Sequence, residues 1–116
     1  MKITIKGQEI ELCYTMRMMI IFENITGHSV DFNNMTSINQ ATTLFLACII
    51  ASAKKAKLNF DITFDEFMDF LDENNGYAMI NEFAIWLAGE LEAKYGLLKK
   101  EDKEDELPKK TKKAEN

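Results

Sequence analysis

The most constraining feature of this sequence is an uninterrupted run of apolar residues near its middle. Residues 44–51 read LFLACIIA, which is far shorter than the roughly 20 apolar residues that a membrane-spanning helix needs. The run is apolar around its whole circumference, so as a helix it must be enclosed by the rest of the chain. We therefore predict a central buried helix over about residues 38–55 in a soluble protein that does not engage a membrane.

Length, composition and charge are those of one globular domain. The 116 residues are 47% hydrophobic and 28% charged, which suffices for a single core. The net charge is −5, but residues 99–116 hold seven lysines and six acidic residues, which leaves residues 1–98 at −6. Because an acidic body repels a phosphate backbone, we expect no nucleic-acid partner for the folded part.

The two cysteines, Cys13 and Cys48, are far apart in the sequence and form no C-x-x-C motif. No secretory leader precedes them, and cytosolic proteins rarely keep disulfides. We therefore expect two buried free thiols and a cytoplasmic location.

The N-terminal residues alternate between apolar and polar side chains on both sides of Gly7-Gln8. This pattern predicts a β-hairpin over residues 2–13 with a type II′ turn, in which Gly7 supplies the positive φ. The apolar face would hold Ile3, Ile5, Ile10 and Leu12. A free strand edge would remain for a neighbouring subunit, so a homo-oligomer is one expected state.

Helical periodicity and capping residues predict four helices, at about residues 16–26, 38–55, 64–73 and 77–95. Thr15, Ser37 and Thr63 are suited to cap the first three, with Glu66 completing a capping box after Thr63. Gly27 is suited to end the first helix. The expected fold is α+β, predominantly helical, with a single globular domain over residues 1–98 and a disordered charged tail over 99–116.

The first predicted helix has apolar residues on two sides. Met18, Ile21, Phe22 and Ile25 share one face, whereas Met16 and Ile20 project from nearly the opposite side. The simpler interpretation places this helix in the middle of the core. The alternative is that Met16, Met19 and Ile20 form an adaptable patch for a protein partner, because methionine side chains repack easily against different surfaces.

The third predicted helix is clearly amphipathic. Its apolar stripe consists of Phe64, Phe67, Met68 and Leu71, and its outer face of Asp65, Asp69, Asp72 and Glu73. Such an acidic face is usually only solvated. A second interpretation gives Asp65 and Asp69 a docking role towards a basic partner helix.

The fourth predicted helix offers one more pair of candidate contact residues. Ile80, Phe83, Ala84, Leu87 and Leu91 form its strongest apolar face. Met79 and Trp86, seven residues apart, lie together on its flank. They are either core residues or partner anchors, since tryptophan is enriched among binding hot spots.

Residues for catalysis or metal binding are missing from the sequence. His28 is the only histidine and is expected in a surface loop, and no phosphate-binding, dinucleotide-binding or metalloprotease motif occurs. The nearest approach to a calcium loop surrounds Gly76, but Leu71 and Met79 would occupy two of the ligand positions. We therefore expect no catalytic residue, cofactor, metal or small-molecule substrate.

The order of these features resembles the small tail assembly chaperones of long-tailed phages and prophages. The resembling parts are residues 1–12 (MKITIKGQEIEL), 22–27 (FENITG), 62–74 (ITFDEFMDFLDEN) and 82–87 (EFAIWL). Together they span nearly all of residues 1–95. They are diffuse patterns and contain no fixed set of binding residues.

The resemblance implies a role in virion assembly. Members of this family coat the tape measure protein, a long helical and aggregation-prone chain, while tail tube subunits polymerise around it. They are absent from the mature virion, and the tail tube protein is a second candidate partner. Many are also made in a longer form by translational frameshifting, for which codons of Lys109-Lys110 or Lys112-Lys113 could supply a slippery site.

Two other functions remain open at the level of sequence. A head-to-tail connector or tail-completion protein would use the same elements in a permanent ring and would stay in mature particles. A small phage-encoded regulator would present its acidic face to a basic host protein, and its binding would weaken steeply with salt.

Overall fold

In the computed structural model of the protein, the described residues are 1–34 and 37–96, without the side chain of Asn34. They form two strands, β1 (Lys2–Ile5) and β2 (Gln8–Glu11), and then four α-helices, namely α1 (Met16–Thr26), α2 (Ile38–Lys55), α3 (Phe64–Glu73) and α4 (Gly76–Tyr95). A short 3-10 helix over Phe32–Asn34 precedes α2. The predicted α+β, predominantly helical fold is confirmed.

The hairpin forms where the alternating pattern placed it, but its turn differs from the prediction. Ile5 pairs with Gln8, so the two linking residues are Lys6 and Gly7, which have φ angles of 52° and 77°. Positive φ at both positions is the pattern of a type I′ turn, which matches the right-handed twist of the strands. The predicted type II′ turn at Gly7-Gln8 is therefore wrong.

The side chain of Lys6, the first turn residue, is held by contacts with a distant segment of the chain. The Lys6 ammonium donates to the Asp61 carbonyl oxygen at 2.7 Å and to Glu66 Oε1 at 3.2 Å. The adjacent Gln8 amide donates to the Asn59 carbonyl oxygen at 3.0 Å. These contacts join the hairpin turn to the segment that leads into α3.

The apolar face of the hairpin is buried as predicted, and β2 packs against α2. The buried residues are Ile3, Ile5, Ile10 and Leu12. After β2, the Cys13 N–H donates to Ser52 Oγ on α2 at 2.9 Å, and the Cys48 thiol donates to the Cys13 carbonyl oxygen at 3.4 Å. Both cysteines are free; Cys48 is buried, but Cys13 is only partly buried, so the prediction of two buried thiols is wrong for Cys13.

The capping residues define α1 as predicted, but only one of its sides is buried. Thr15 Oγ1 accepts from the Met18 N–H at 3.2 Å, and Gly27, with φ of 84°, ends the helix. The helix packs against α2 and buries Met18 and Phe22. Ile25 is exposed, as are Met16 and Ile20, so the prediction of a helix in the middle of the core is wrong for α1.

Helix α2 is the central element, as its apolar run indicated. Residues 41–49 and 51–53 are buried, and Ser37 caps the helix by accepting from the Gln40 N–H at 3.3 Å. The Phe45 ring stacks on Phe83 of α4, with ring centroids 4.7 Å apart, and meets Phe67 of α3 edge to face at 5.5 Å. These three rings connect α2, α3 and the first part of α4.

The capping box predicted for α3 is present. The Glu66 N–H donates to Thr63 Oγ1 at 3.1 Å, and the Thr63 N–H donates to Glu66 Oε1 at 2.9 Å. Phe67 and Leu71 of the predicted stripe are buried and Met68 is partly buried. Phe64 is 46% exposed, so its place in the buried stripe was wrongly predicted.

The contacts between residues divide the chain into two compact units, Met1–Ala84 and Ile85–Asn116. The boundary falls within α4, which begins one residue before the predicted start. In the second unit the described part is the end of α4, where the Gly96 N–H donates to the Glu92 carbonyl oxygen at 2.8 Å. The predicted single domain over residues 1–98 stays a prediction, and the predicted disordered tail over 99–116 lies outside the described residues.

None of the described helices combines the length and the apolar character that crossing a membrane requires.

Candidate functional site

The first candidate surface lies on α1 and consists of Met16, Met19 and Ile20, which we call the α1 patch. Met16 is 75% exposed and Ile20 is 53% exposed. Met19, which lies between them in the sequence, is partly buried. Their spacing of three and four residues puts them on one side of the helix. The opposite side holds Met18 and Phe22, which are fully buried. The helix therefore presents an apolar strip outwards while its other side anchors it to α2.

The α1 patch owes its position to the start of the helix. Thr15 caps α1, which stabilises the first turn of the helix. Met16, the first residue of α1, is therefore held in helical conformation. Two of the three patch residues are methionines, and such flexible thioether side chains adapt to differently shaped apolar partners. Arg17 is exposed beside the patch. The arrangement suits contact with an apolar strip on another chain.

The two predicted acidic contacts, Asp65 and Asp69, are exposed one turn apart on α3. Their neighbour Glu66 has other partners, because it belongs to the capping box and lies 3.2 Å from the Lys6 ammonium. The hydrogen bond from the Thr63 N–H, and then Lys6, hold the pKa of Glu66 below its ordinary value of 4.5. Glu66 is thus a structural carboxylate, and Asp65 and Asp69 remain at the surface.

Met79 and Trp86, the pair predicted on the flank of α4, are both partly buried. Met79 belongs to the first unit and Trp86 to the second. The structure thus places the predicted contact residues on three different helices, α1, α3 and α4. It groups Met16 with Met19 and Ile20, and Asp65 with Asp69.

The structure also contains a groove that the sequence did not reveal, which we call the helix-start groove. It has a volume of about 490 Å³ and is lined by the beginnings of α2 and α4 and by one side of α3. Its apolar lining consists of Ile38, Phe64, Met68, Leu71, Tyr77 and Ile80. Asp72 lines it as well. Three of these side chains, Ile38, Phe64 and Tyr77, are themselves largely exposed.

A sequence signal for this groove existed but was not specific. Ile38 and Phe64 are the first residues of α2 and α3, and Tyr77 is the second residue of α4. A large apolar residue directly after an N-cap lies at the start of a helix. Whether its side chain is buried depends on which other element covers that start. Periodicity assigned Phe64 to the buried stripe because it shares a helical face with Phe67 and Leu71. Only the tertiary arrangement shows that these helix starts come together at the surface.

No group of three or more histidine, cysteine, aspartate or glutamate side chains among residues 1–34 and 37–96 could hold a metal ion. Burial raises the pKa of the Cys48 thiol to about 12, so this thiol stays protonated near neutral pH and is a poor nucleophile. His28 lies in an exposed loop, as predicted, with its ring edge-on to Phe22 at 5.7 Å.

Comparison with protein-family models, with curated proteins and with solved structures gave no match to this chain.

Proposed function

We propose that this protein is a non-catalytic tail assembly chaperone of a long-tailed phage or prophage. It binds the tape measure protein in the bacterial cytoplasm, keeps that long helical chain soluble during tail assembly, and is absent from the finished virion. The observation that carries this proposal is the exposure of Met16 and Ile20 on an ordered helix whose other side is anchored in the core. Together with the resemblance in sequence, this apolar strip supports binding of apolar segments of another chain.

The size of the α1 patch favours weak and reversible contacts. Complete burial of one large apolar side chain contributes about 1.5–3 kcal/mol. Met16 and Ile20 are more than half exposed, so covering both contributes roughly 2–4 kcal/mol, and one patch alone corresponds to millimolar affinity at best. A chaperone that coats a client with many copies and then leaves needs contacts of this strength. A permanent connector in a ring would need a larger interface.

The experiment is co-expression with the proposed client. The proposal places the gene next to one very long open reading frame that encodes the tape measure protein, and that product is the client to test. With the wild-type chain we expect most of the client in the soluble fraction. The double variant Met16→Ser/Ile20→Ser should leave the client largely insoluble.

A matched control uses the same substitutions at exposed residues outside the patch. Ile25 and Ile85 are 47% and 66% exposed, so the variant Ile25→Ser/Ile85→Ser also removes two exposed apolar side chains but leaves the α1 patch intact. It should rescue client solubility as well as the wild type does. Loss of rescue in both variants, or in neither, would contradict a role for the α1 patch, and absence of the long reading frame would contradict the chaperone proposal itself.

Particle composition separates the proposed chaperone from a connector. Because the chaperone leaves before the virion is complete, mass spectrometry of purified particles should not detect this chain at a constant stoichiometry. Its presence in every particle would favour the head-to-tail connector instead.

A further inference from the structure

The helix-start groove has the properties of a second binding surface, apart from the α1 patch. Its lining includes Phe64, Met68 and Leu71 of α3 on one side and Tyr77 and Ile80 of α4 on the other. Tyr77 is 77% exposed, so most of its surface is accessible to an incoming segment. The volume of about 490 Å³ lies within the range of about 300–1,000 Å³ that binding clefts usually have. It can accept a few side chains of an incoming segment.

The charged residues of α3, and of the parts of α2 and α4 that line this groove, are all acidic, and Lys6 of the hairpin reaches α3 only at Glu66. No lysine or arginine occurs between residues 58 and 93, whereas α3 exposes Asp65, Asp69, Asp72 and Glu73. Asp72 lines the groove. Within the described residues, none of these four carboxylates takes part in an ion pair, in contrast to Glu66 with its partner Lys6. The groove thus has an apolar floor and one wall, α3, that carries Asp72 in the lining and three further exposed carboxylates on the same helix.

We propose that the helix-start groove binds a basic amphipathic helix of another protein. The apolar face of that helix inserts one or two side chains between Phe64 and Tyr77, and its lysine or arginine residues lie over the carboxylates of α3. Helix-in-groove recognition of this kind takes its affinity from the apolar anchors and its selectivity from the flanking charges. This site does not depend on the chaperone proposal, because it uses none of the residues of the α1 patch.

Charge argues for this occupant over two others. A second copy of the chain would bring a body with a charge of −6 over residues 1–98 to an acidic wall, which costs electrostatic energy. An anionic membrane surface would be repelled in the same way. At the starts of α2 and α3, backbone N–H groups already have acceptors, because Ser37 caps α2 and Thr63 with Glu66 forms the capping box of α3.

The test uses the full chain and a synthetic helical peptide of about 18 residues, a length that forms about five helical turns. One face of the probe carries leucine and phenylalanine, and its flanks carry lysine; a second probe has glutamate in place of every lysine. Fluorescence anisotropy should show binding of the lysine probe, with an affinity that falls several-fold between about 50 mM and 300 mM salt. The glutamate probe should bind at least about tenfold more weakly.

Variants at exposed groove residues locate the binding site without disturbing the core. Tyr77→Ser should weaken binding of the lysine probe about tenfold, as expected for loss of an aromatic anchor. Asp72→Asn should weaken it about two- to fivefold and reduce the dependence on salt. As controls, Glu9→Gln removes another exposed carboxylate, on the hairpin, and Met16→Ser/Ile20→Ser alters the α1 patch; both should bind the probe like the wild type.

Each other outcome overturns the proposal in a recognisable way. Equal binding of the two probes would mean that the acidic wall plays no part. Binding that Tyr77→Ser and Asp72→Asn leave unchanged would place the probe elsewhere, and loss of binding in Met16→Ser/Ile20→Ser would place it on the α1 patch. If sedimentation shows a dimer that Tyr77→Ser converts to a monomer, the occupant is a second copy of the chain.

Discussion

A β-carbon built on Gly76 would lie 2.9 Å from the β-carbon of Leu71 and 3.0 Å from its carbonyl oxygen. Helix α4 therefore begins in direct contact with the backbone of α3, at a distance that a larger residue could occupy only if neighbouring atoms shifted. Asn75, with φ of 56°, makes the sharp turn that precedes this contact. The close approach fixes one end of the helix-start groove, because Leu71, Asn75 and Gly76 all line it.

The first prediction concerns this contact. Gly76→Ala should lower the free energy of unfolding by about 1–3 kcal/mol, because the neighbouring atoms belong largely to the backbone and must shift to admit a methyl group. Chemical denaturation of the purified variant measures the change. The same variant should also bind the lysine probe less well, since α3 and α4 would move apart at the floor of the groove.

Gly89 supplies the matched control on the same helix. It lies inside α4, and a β-carbon there would meet no atom within 4 Å. Gly89→Ala should therefore raise stability by about 0.5–1 kcal/mol through helix propensity alone. If both alanine variants were equally stable, the close contact at Leu71 would not exist in solution.

The second prediction concerns the pH dependence of stability through Glu66. Its pKa is lowered from 4.5 by the Thr63 N–H and by Lys6, so the folded protein favours the ionised form. This contribution is fully present above pH 4.5 and is lost as the pH falls through the lowered pKa. Glu66→Gln should therefore be less stable than the wild type at neutral pH, and the difference should narrow as the pH falls below 4.5.

Urea unfolding at neutral and acidic pH measures this difference directly. The control is Glu9→Gln, which removes the ion pair between Glu9 and Lys2. The charged atoms of this pair are 3.8 Å apart, and both side chains are 63% exposed. Such a surface pair contributes little, so this variant should follow the wild type at both pH values. If the free energies of unfolding of Glu66→Gln and the wild type differed by the same amount at all pH values, the role assigned to the Glu66 charge would be contradicted.

Those parts of the fold that depend on neighbouring residues in the chain could be predicted from the sequence. The caps at Thr15, Ser37 and Thr63 lie where the sequence placed them, because each bond joins residues only three apart. The burial of α2 was also predictable, since exposing a helix that is apolar on all sides to water is unfavourable.

The errors arose where the outcome depends on distant residues. The turn position was misjudged because Lys6 adopts its left-handed conformation while its side chain is held by Asp61 and Glu66, more than 50 residues away. The exposure of Met16 and Phe64 could not be predicted either, since periodicity indicates which residues share a helical face but not which faces other elements cover. For the same reason the α1 patch was one of two interpretations and the helix-start groove was not predicted at all.

The third prediction concerns the bond that ties the end of the hairpin to the central helix. Ser52 is fully buried on α2 and accepts the Cys13 N–H at 2.9 Å. Ser52→Ala leaves this partly buried N–H without its partner, which should lower stability by about 1–3 kcal/mol. Ser29→Ala makes the same substitution at an exposed residue whose hydroxyl donates to Glu23 at 3.1 Å, and its effect should stay within about 0.5 kcal/mol. Thermal unfolding of both variants compares them, and hydrogen exchange at Cys13 should accelerate only in Ser52→Ala. An unchanged exchange rate at Cys13 would show that Ser52 does not hold the hairpin on α2.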